Sequence, residues 1–274
     1  MQCITPLQVR NKSKDYKDQN LYSTVPCGKC VPCLKRRASH WSFRINEEAK
    51  HSSSAYFLTL TYEITPTSDN GYPTLYKKDF QNFLKRLRKL CPTNKLKYYA
   101  CGEYGTQTNR PHYHAIILNL PKSIGHNPIL IQDTWQNGHV MSVPSNQKTI
   151  NYVVGYMCKG RFEPQSEHDD RLPEFSLMSK KMGMQYLTDK MVAYYRNRQI
   201  ACIVKEGGQI MSMPRYYKEK IFTKQELKKI NDEYMEINKL KIENYFKDSK
   251  HEIEFKKQLI KQDAKERRLK RVAI

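Results

Sequence analysis

Two histidines separated by one residue are the pair in this chain best suited to holding a metal ion. His112 and His114 lie in Arg110-Pro-His-Tyr-His-Ala-Ile-Ile117, which is typical of a strand. Side chains alternate between the two faces of a strand, so both imidazoles project from the same face. Glu103 ends the preceding predicted strand, and a hairpin would bring its carboxylate beside His112. The pattern predicts a three-ligand site formed by Glu103, His112 and His114.

One carboxylate and two imidazoles leave coordination positions open for water and phosphate oxygens. This donor set suits Mg²⁺ or Mn²⁺ in a catalytic role better than a purely structural ion. Imidazole ligands favour Mn²⁺ in affinity. The alternative reading is two ordinary structural histidines and an exposed loop carboxylate.

Two tyrosines four residues apart are the candidate nucleophiles. Tyr152 and Tyr156 share one face if their segment is helical, and Lys159 lies one turn further on. A phenol with a pKa near 10 attacks poorly at neutral pH unless a cation stabilises the phenolate, as a metal or Lys159 would. Lys159 would also protonate the departing 3′ oxygen or hold a phosphate. Since the chain has 19 tyrosines, a core stripe is the alternative.

The elements that must position these side chains are predicted from hydrophobic periodicity. Strict alternation predicts strands at 56–62, 98–103 and 112–118, the last two forming an antiparallel pair. Helical spacing of apolar residues predicts a helix at 77–90. Strand, helix, hairpin and a further helix indicate an α+β fold, with a central antiparallel sheet and helices packed on one face.

The charge of the chain indicates its partner. The 274 residues carry a formal net charge of +21, which favours a polyanion such as nucleic acid. The apolar runs are too short to cross a bilayer, and the first residues lack the apolar stretch of a signal peptide. We therefore expect no membrane partner, a location in the cytoplasm and reduced cysteines.

A cysteine cluster near the N-terminus predicts a second metal site. Cys27, Cys30 and Cys33 form C-x₂-C-x₂-C, and Cys3 would supply a fourth thiolate. In a reducing compartment this spacing favours structural Zn²⁺. An iron–sulfur cluster and a turn with free cysteines are the alternatives.

Several side chains are predicted to contact DNA. The basic run after the cysteines suits the phosphate backbone, and the two threonines of the first predicted strand share one face and would line a groove. The predicted DNA-binding residues are Lys35, Arg36, Arg37, Arg44, Thr59, Thr61 and Arg110.

Six segments of the chain, taken in order, resemble a known family. The matching stretches are Pro26-Cys-Gly-Lys-Cys-Val-Pro-Cys33, Phe57-Leu-Thr-Leu-Thr-Tyr62, Gly102-Glu-Tyr-Gly105, Arg110-Pro-His-Tyr-His114, Tyr152-Val-Val-Gly-Tyr156-Met-Cys-Lys159 and Met213-Pro-Arg-Tyr-Tyr217. They resemble the paired-histidine endonuclease superfamily of rolling-circle replication, and more closely the replication initiators of Microviridae phages, particularly gokushoviruses. The resemblance implies an RRM-like or ferredoxin-like sheet with the histidines on a central strand. Tyr113 departs from the superfamily, which usually has a bulky aliphatic residue between the histidines.

The resemblance divides the chain into three parts. Residues 1–50 form a Cys-rich basic segment, residues 51–220 the endonuclease domain, and residues 221–274 a charged helical tail. The tail opens with Thr223-Lys-Gln-Glu226, which matches a capping box. A solvated amphipathic helix is the expected role of the tail, with a DNA contact or a dimerising coil as alternatives.

Together these features predict a metal-dependent, site-specific nickase and strand-joining enzyme. It would cut single-stranded DNA at a phage replication origin, hold the 5′ end as a phosphotyrosine, and work in the cytoplasm of the bacterial host. No Walker A pattern occurs in the sequence, so a host helicase and polymerase are expected partners. The alternatives are a non-enzymatic, zinc-stabilised nucleic-acid-binding protein and a relaxase or transposase with the same chemistry.

Overall fold

The structure is a computed structural model that describes residues 3, 5–10, 22–105, 107–156, 166–205, 207–237 and 239. Lys159 and most of the predicted tail lie outside the described residues. The chain divides into two compact units, Met1–Gly183 and Met184–Ala273. The three predicted domains, with boundaries near residues 50 and 220, stay a prediction. Among the described residues, no helix is long and apolar enough to span a bilayer.

The first unit contains seven strands and five helices. In chain order they are β1 (Leu7–Arg10), β2 (Tyr22–Val25), α1 (Val31–Lys50), β3 (Ala55–Tyr62), α2 (Lys77–Leu90), β4 (Lys97–Tyr104), β5 (Pro111–Leu118), α3 (Lys122–Gly125), α4 (Pro128–Trp135), β6 (Gly138–Pro144), α5 (Gln147–Gly155) and β7 (Phe175–Met178). The predicted strands and the helix at 77–90 are confirmed to within one residue at either end.

The central sheet has five strands in the order β6-β3-β5-β4-β7, and every neighbouring pair is antiparallel. From β3 to β6, the order of strands and helices is that of a ferredoxin-like fold, with β5 between β3 and β4. The predicted α+β class with a central antiparallel sheet is therefore confirmed.

One face of the sheet packs against α2 and α4. Phe80, Phe83 and Leu87 of α2 enter this core together with Trp135 at the end of α4. Tyr113 lies on the same face and is fully buried, because its neighbours His112 and His114 point to the opposite face.

The other face packs against α1 and α5, so the prediction that helices cover only one face is wrong. Phe57, Ile116 and Tyr99 project from this face and are buried under Ile45 of α1 and Val153 of α5. The physical reason is that the strands carry apolar side chains on both faces, and each apolar face must be covered to exclude water.

Helix α1 is a feature that sequence reasoning missed. The segment up to Arg44 was expected to contain few periodic apolar positions, yet Val31–Lys50 is helical. Cys33, Ala38, Trp41 and Ile45 recur at spacings of three to five residues and form the side of α1 that packs on the sheet and on α5. The run of Lys and Arg residues between them obscured this pattern.

The second unit has its own small core. Its elements are α6 (Asp189–Arg198), β8 (Cys202–Val204), β9 (Ile210–Ser212), α7 (Arg215–Ile221) and α8 (Lys224–Ile237). The strands pair as an antiparallel hairpin. The predicted capping box at the start of α8 is confirmed: the Thr223 N–H donates to the Glu226 carboxylate, and the Glu226 N–H donates to the Thr223 hydroxyl.

The Tyr113 hydroxyl is the polar atom most deeply placed in the α2-side core, and it yields a stability prediction. It donates to the Tyr76 carbonyl at 2.8 Å, accepts from the Tyr76 N–H at 3.1 Å and lies 2.7 Å from the Tyr62 hydroxyl. Tyr113→Phe leaves these groups unpaired, so we expect the free energy of unfolding to fall by about 1–3 kcal/mol. Urea denaturation measures the change.

The matched control is Tyr76→Phe, which removes an exposed hydroxyl that makes no hydrogen bond within the described part of the chain. The control should unfold like the wild type. Equal stability of Tyr113→Phe and Tyr76→Phe would contradict the role given to the buried network.

Candidate active site

The register of the sheet brings the predicted metal ligands together. Glu103 on β4 is paired with His112 on β5, and His114 is paired with Cys101 on β4 and Thr59 on β3. Residues paired across antiparallel strands point to the same face, so the carboxylate and both imidazoles project toward α5. The hairpin predicted to return Glu103 to His112 is therefore present.

The ligand atoms of this triad converge on one point. His112 Nε2 lies 2.9 Å from Glu103 Oε1 and 3.1 Å from His114 Nε2, and His114 Nε2 lies 3.5 Å from Glu103 Oε1. Adjacent ligands of an octahedral Mg²⁺ are about 3.0 Å apart, since each is about 2.1 Å from the ion. The spacing of the triad fits such an ion.

The outer partners of the imidazoles also fit metal binding. His112 Nδ1 lies 3.0 Å from the Arg110 carbonyl oxygen, which only accepts hydrogen bonds, so the ring proton belongs on Nδ1. The Nε2 lone pair of His112 then faces the other two ligand atoms. Glu103 and His114 are both buried, so their mutual repulsion favours a positive charge between them.

The two predicted nucleophiles lie against this triad. Tyr152 is on α5, and Tyr156 directly follows its last residue. The Tyr156 hydroxyl is 3.1 Å from His114 Nε2, and the two rings stack with centroids 4.8 Å apart. The Tyr152 ring contacts both Tyr156 and His114, with centroids at 5.0 Å and 5.4 Å. Tyr152 is 53% exposed, so it faces solvent beside the site.

Polar contacts and a shared core hold α5 in place. The Ser42 hydroxyl of α1 donates to the Asn151 side-chain oxygen at 2.6 Å, and the Gln147 amide donates to the same oxygen at 2.8 Å. Asn146 caps the start of α5, accepting hydrogen bonds from the N–H groups of Lys148 and Thr149. Both tyrosines therefore start from a helix that is fixed at its capped end and along one side.

The electrostatic environment of Tyr156 keeps its phenol protonated when the triad holds no cation. Burial raises the pKa of Tyr156, and the Tyr152 hydroxyl and the Glu103 carboxylate raise it further. A positive charge held by the triad would oppose the effect of Glu103, because it favours the phenolate.

The predicted DNA-binding residues lie in different surroundings. Lys35 and Arg37 are exposed on α1, and Thr61 is half-buried on the triad face of β3. Other members of the set are held by protein groups. Arg110 donates to the Tyr62 and Glu63 carbonyls, Arg44 donates to the Met182 carbonyl and stacks on Trp41, Arg36 donates to Cys33 Sγ, and Thr59 contacts His114. DNA contact by any of these residues stays a prediction.

The four predicted zinc ligands also meet in space. Cys3 precedes β1 and Cys27 follows β2, so the β1–β2 hairpin brings these distant residues together. Cys30 caps α1, and Cys33 lies in its first turn. All four Sγ atoms lie within 4.8 Å of one another. Tetrahedral Zn²⁺ requires sulfur atoms about 3.8 Å apart, and Cys3 and Cys30 are 3.7 Å apart.

Backbone groups support the thiolate form at part of this cluster. The N–H groups of Lys29 and Cys30 point at Cys27 Sγ, at 3.4 and 3.3 Å. A hydrogen bond from the Thr5 hydroxyl and these N–H groups lower the pKa of Cys27 to about 5, whereas burial raises the pKa of Cys33 to about 12. Zinc binding therefore has to displace a proton from Cys33.

One contact in the site was not predicted from the sequence. The Phe57 ring stacks on His114, with centroids 5.6 Å apart, and meets Tyr152 edge-on. Phe57 is two residues before Thr59, so it lies on the same strand face as the triad. Strand alternation alone would have revealed it.

Comparison with known proteins connects this site to a family. Residues 55–161 match a family model described as a replication-associated protein of the ORF2 type. Replication-associated protein ORF2 of Spiroplasma virus 4 is 28% identical over 253 residues, covering 79% of each chain. Replication-associated protein VP4 of Bdellovibrio phage phiMH2K is 26% identical over 248 residues, covering 80% of this chain and 76% of the relative.

A more distant relative covers less of its own length. Replication-associated protein ORF4 of Chlamydia phage 1 is 24% identical over 215 residues, covering 71% of this chain and 53% of that protein. No solved structure matches the chain. The matched segment contains the triad and both tyrosines, and the predicted resemblance is confirmed: the chain is related to the replication-associated proteins of Microviridae phages.

Proposed function

We propose that this protein is a metal-dependent, site-specific nickase and strand-joining enzyme for single-stranded DNA, which initiates rolling-circle replication of a phage genome. The observation that carries the proposal is the position of the Tyr156 hydroxyl, 3.1 Å from a nitrogen of the Glu103–His112–His114 triad. A phenol and a candidate cation site within one hydrogen bond of each other are what phosphoryl transfer to tyrosine needs.

In the proposed reaction a tyrosine oxygen attacks the scissile phosphorus and the bond from phosphorus to the 3′ oxygen breaks. The phenol proton leaves to water, and the 3′ oxygen takes up a proton, for which Lys159 is the proposed donor. The 5′ phosphate remains as a tyrosine ester, so reversal by a free 3′-hydroxyl rejoins the strand without ATP. Bound Mg²⁺ or Mn²⁺ would supply charge neutralisation at the scissile phosphate.

The two tyrosines are proposed to act in turn. Their rings are in contact and both touch His114, so either hydroxyl starts close to the triad. One tyrosine would hold the first DNA end while the other cuts again at the end of a round of replication. This relay requires both phenols to serve one cation site.

The proposed partners follow from this activity. The substrate is single-stranded DNA at the replication origin, and a host helicase and polymerase would unwind and copy the template in the cytoplasm of the bacterial host. A relaxase or transposase would use the same chemistry. The relatives named as replication-associated proteins favour replication.

A non-enzymatic, zinc-stabilised nucleic-acid-binding protein is the competing proposal, favoured by the net charge of +21 and the cysteine cluster. That function has no use for a buried carboxylate facing two imidazoles. Burying such groups is costly unless a cation or protons pair them. The triad therefore favours the enzyme.

Formation of a covalent adduct tests the nucleophiles. We expect the wild type, incubated with Mn²⁺ and labelled oligonucleotides tiling candidate origins, to give a labelled protein band on a denaturing gel. Tyr152→Phe/Tyr156→Phe should give no band, because the attacking oxygens are gone, and Tyr76→Phe should behave like the wild type. Single variants then show which tyrosine cuts first.

An adduct that persists in the double variant would show that another residue attacks. Binding of these oligonucleotides without any cleavage, across all candidate origins, would instead favour the non-enzymatic protein.

Metal affinity tests the triad. Glu103→Gln and His112→Ala each remove one ligand, so we expect Mn²⁺ binding, followed by the EPR signal of the free ion, to weaken about 10-fold or more. His139→Ala is the matched control, because His139 is an exposed imidazole on β6, paired with Thr61. Equal weakening in His139→Ala would indicate nonspecific binding and contradict the site.

Metal content tests the cysteine cluster. We expect the purified wild type to contain about one zinc per chain and Cys3→Ser to lose most of it, because a structural site needs all four ligands. Cys202→Ser, in the second unit and outside the cluster, should keep its zinc. Elemental analysis by mass spectrometry reports both values, and a zinc-free wild type would refute the assignment.

A further inference from the structure

The second ring nitrogen of His114 has an unusual partner. His114 Nδ1 lies 3.1 Å from the Thr59 hydroxyl oxygen. Thr59 and His114 are directly paired across β3 and β5, so the short threonine side chain reaches the ring on the shared face of the sheet. His114 itself is 5% exposed, which limits access of water to this contact.

The two histidines of the triad are held by different chemical groups. The Nδ1 atom of His112 faces a backbone carbonyl, which only accepts, whereas that of His114 faces a hydroxyl, which both donates and accepts. The carbonyl imposes one tautomer on His112. The hydroxyl is compatible with both tautomers of His114 and becomes an acceptor only when the ring proton is on Nδ1.

Metal binding would select one of these arrangements. His114 Nε2 is the nitrogen that faces His112, Glu103 and the Tyr156 hydroxyl. A nitrogen that binds a metal must present its lone pair, so the ring proton has to move to Nδ1. At Nδ1 the hydroxyl of Thr59 is the acceptor that the structure provides.

We propose that Thr59 is a positioning residue for the metal site: its hydroxyl accepts the Nδ1 proton of His114 and fixes the metal-binding tautomer and the orientation of the ring. This role rests on the proposed metal-dependent function and differs from the DNA contact expected from the sequence. Thr59 acts through His114 and needs no contact with DNA or with the reacting atoms.

The test compares two substitutions at Thr59 in the full-length protein without DNA. Thr59→Val keeps the shape but removes the hydroxyl, so Mn²⁺ affinity should fall about 10- to 100-fold, as is typical for loss of an outer partner of a metal ligand. Thr59→Ser keeps the hydroxyl and should restore affinity to within about threefold of the wild type. The free-ion EPR signal measures all three affinities.

Thr61→Val is the matched control. Thr61 lies on the same strand face, pairs with His112 and makes no side-chain hydrogen bond within the described residues. Its loss should leave Mn²⁺ affinity unchanged, and thermal unfolding of all variants shows whether any of them has lost the fold. A purely structural role for Thr59 would lower stability and leave metal affinity intact, which would overturn the proposal.

A spectroscopic measurement separates tautomer from general damage. In Mg²⁺-saturated protein with ¹⁵N-labelled histidine, NMR should show a slowly exchanging Nδ1 proton on His114 in the wild type and in Thr59→Ser. That proton should exchange rapidly in Thr59→Val, while the Nδ1 signal of His112 stays unchanged because its carbonyl partner remains.

The outcomes distinguish this inference from the function on which it rests. A wild type that does not bind Mn²⁺ refutes the proposed metal site, and the role of Thr59 with it. A wild type that binds Mn²⁺ together with a Thr59→Val variant that binds equally well refutes only the role of Thr59. Weak binding by both Thr59→Ser and Thr59→Val would also refute it.

Discussion

Three atoms that carry lone pairs, Glu103 Oε1, His112 Nε2 and His114 Nε2, lie within 3.5 Å of one another in a largely buried place. Such atoms repel one another unless a cation or shared protons lie between them. The protein holds them together because all three project from the inner strands of a sheet whose register does not slip without exposing its core. The fold thus maintains an arrangement that becomes favourable when a positive charge is bound.

Alternation along β5 lets one strand serve two purposes. His112 and His114 point toward α5 and the tyrosines, while Tyr113 points into the core against α2. The hydroxyl of Tyr113 finds partners there, so the polar group causes no conflict with burial. The departure of Tyr113 from the superfamily pattern is therefore accommodated on the face of the sheet away from the proposed chemistry.

The cysteine cluster and the tyrosines are connected through one helix. Cys30 caps α1 and Cys33 lies in its first turn, and α1 packs along α5 through a shared core and the contact between Ser42 and Asn151. A metal at the cysteines would stabilise the start of the helix that supports α5. The family match covers residues 55–161 and so includes the triad but not this support.

The sequence by itself determined the central strands, helix α2 and the composition of both candidate metal sites, because short-range periodicity and ligand spacing are local properties. Only the tertiary structure showed that helices cover both faces of the sheet, that α1 is a helix and that Thr59 contacts His114. The pairing of Cys3 with the other cysteines and the stacking of Tyr156 on His114 also depend on residues far apart in the chain. Which distant residues meet is decided by strand register and helix packing, and no local pattern encodes either.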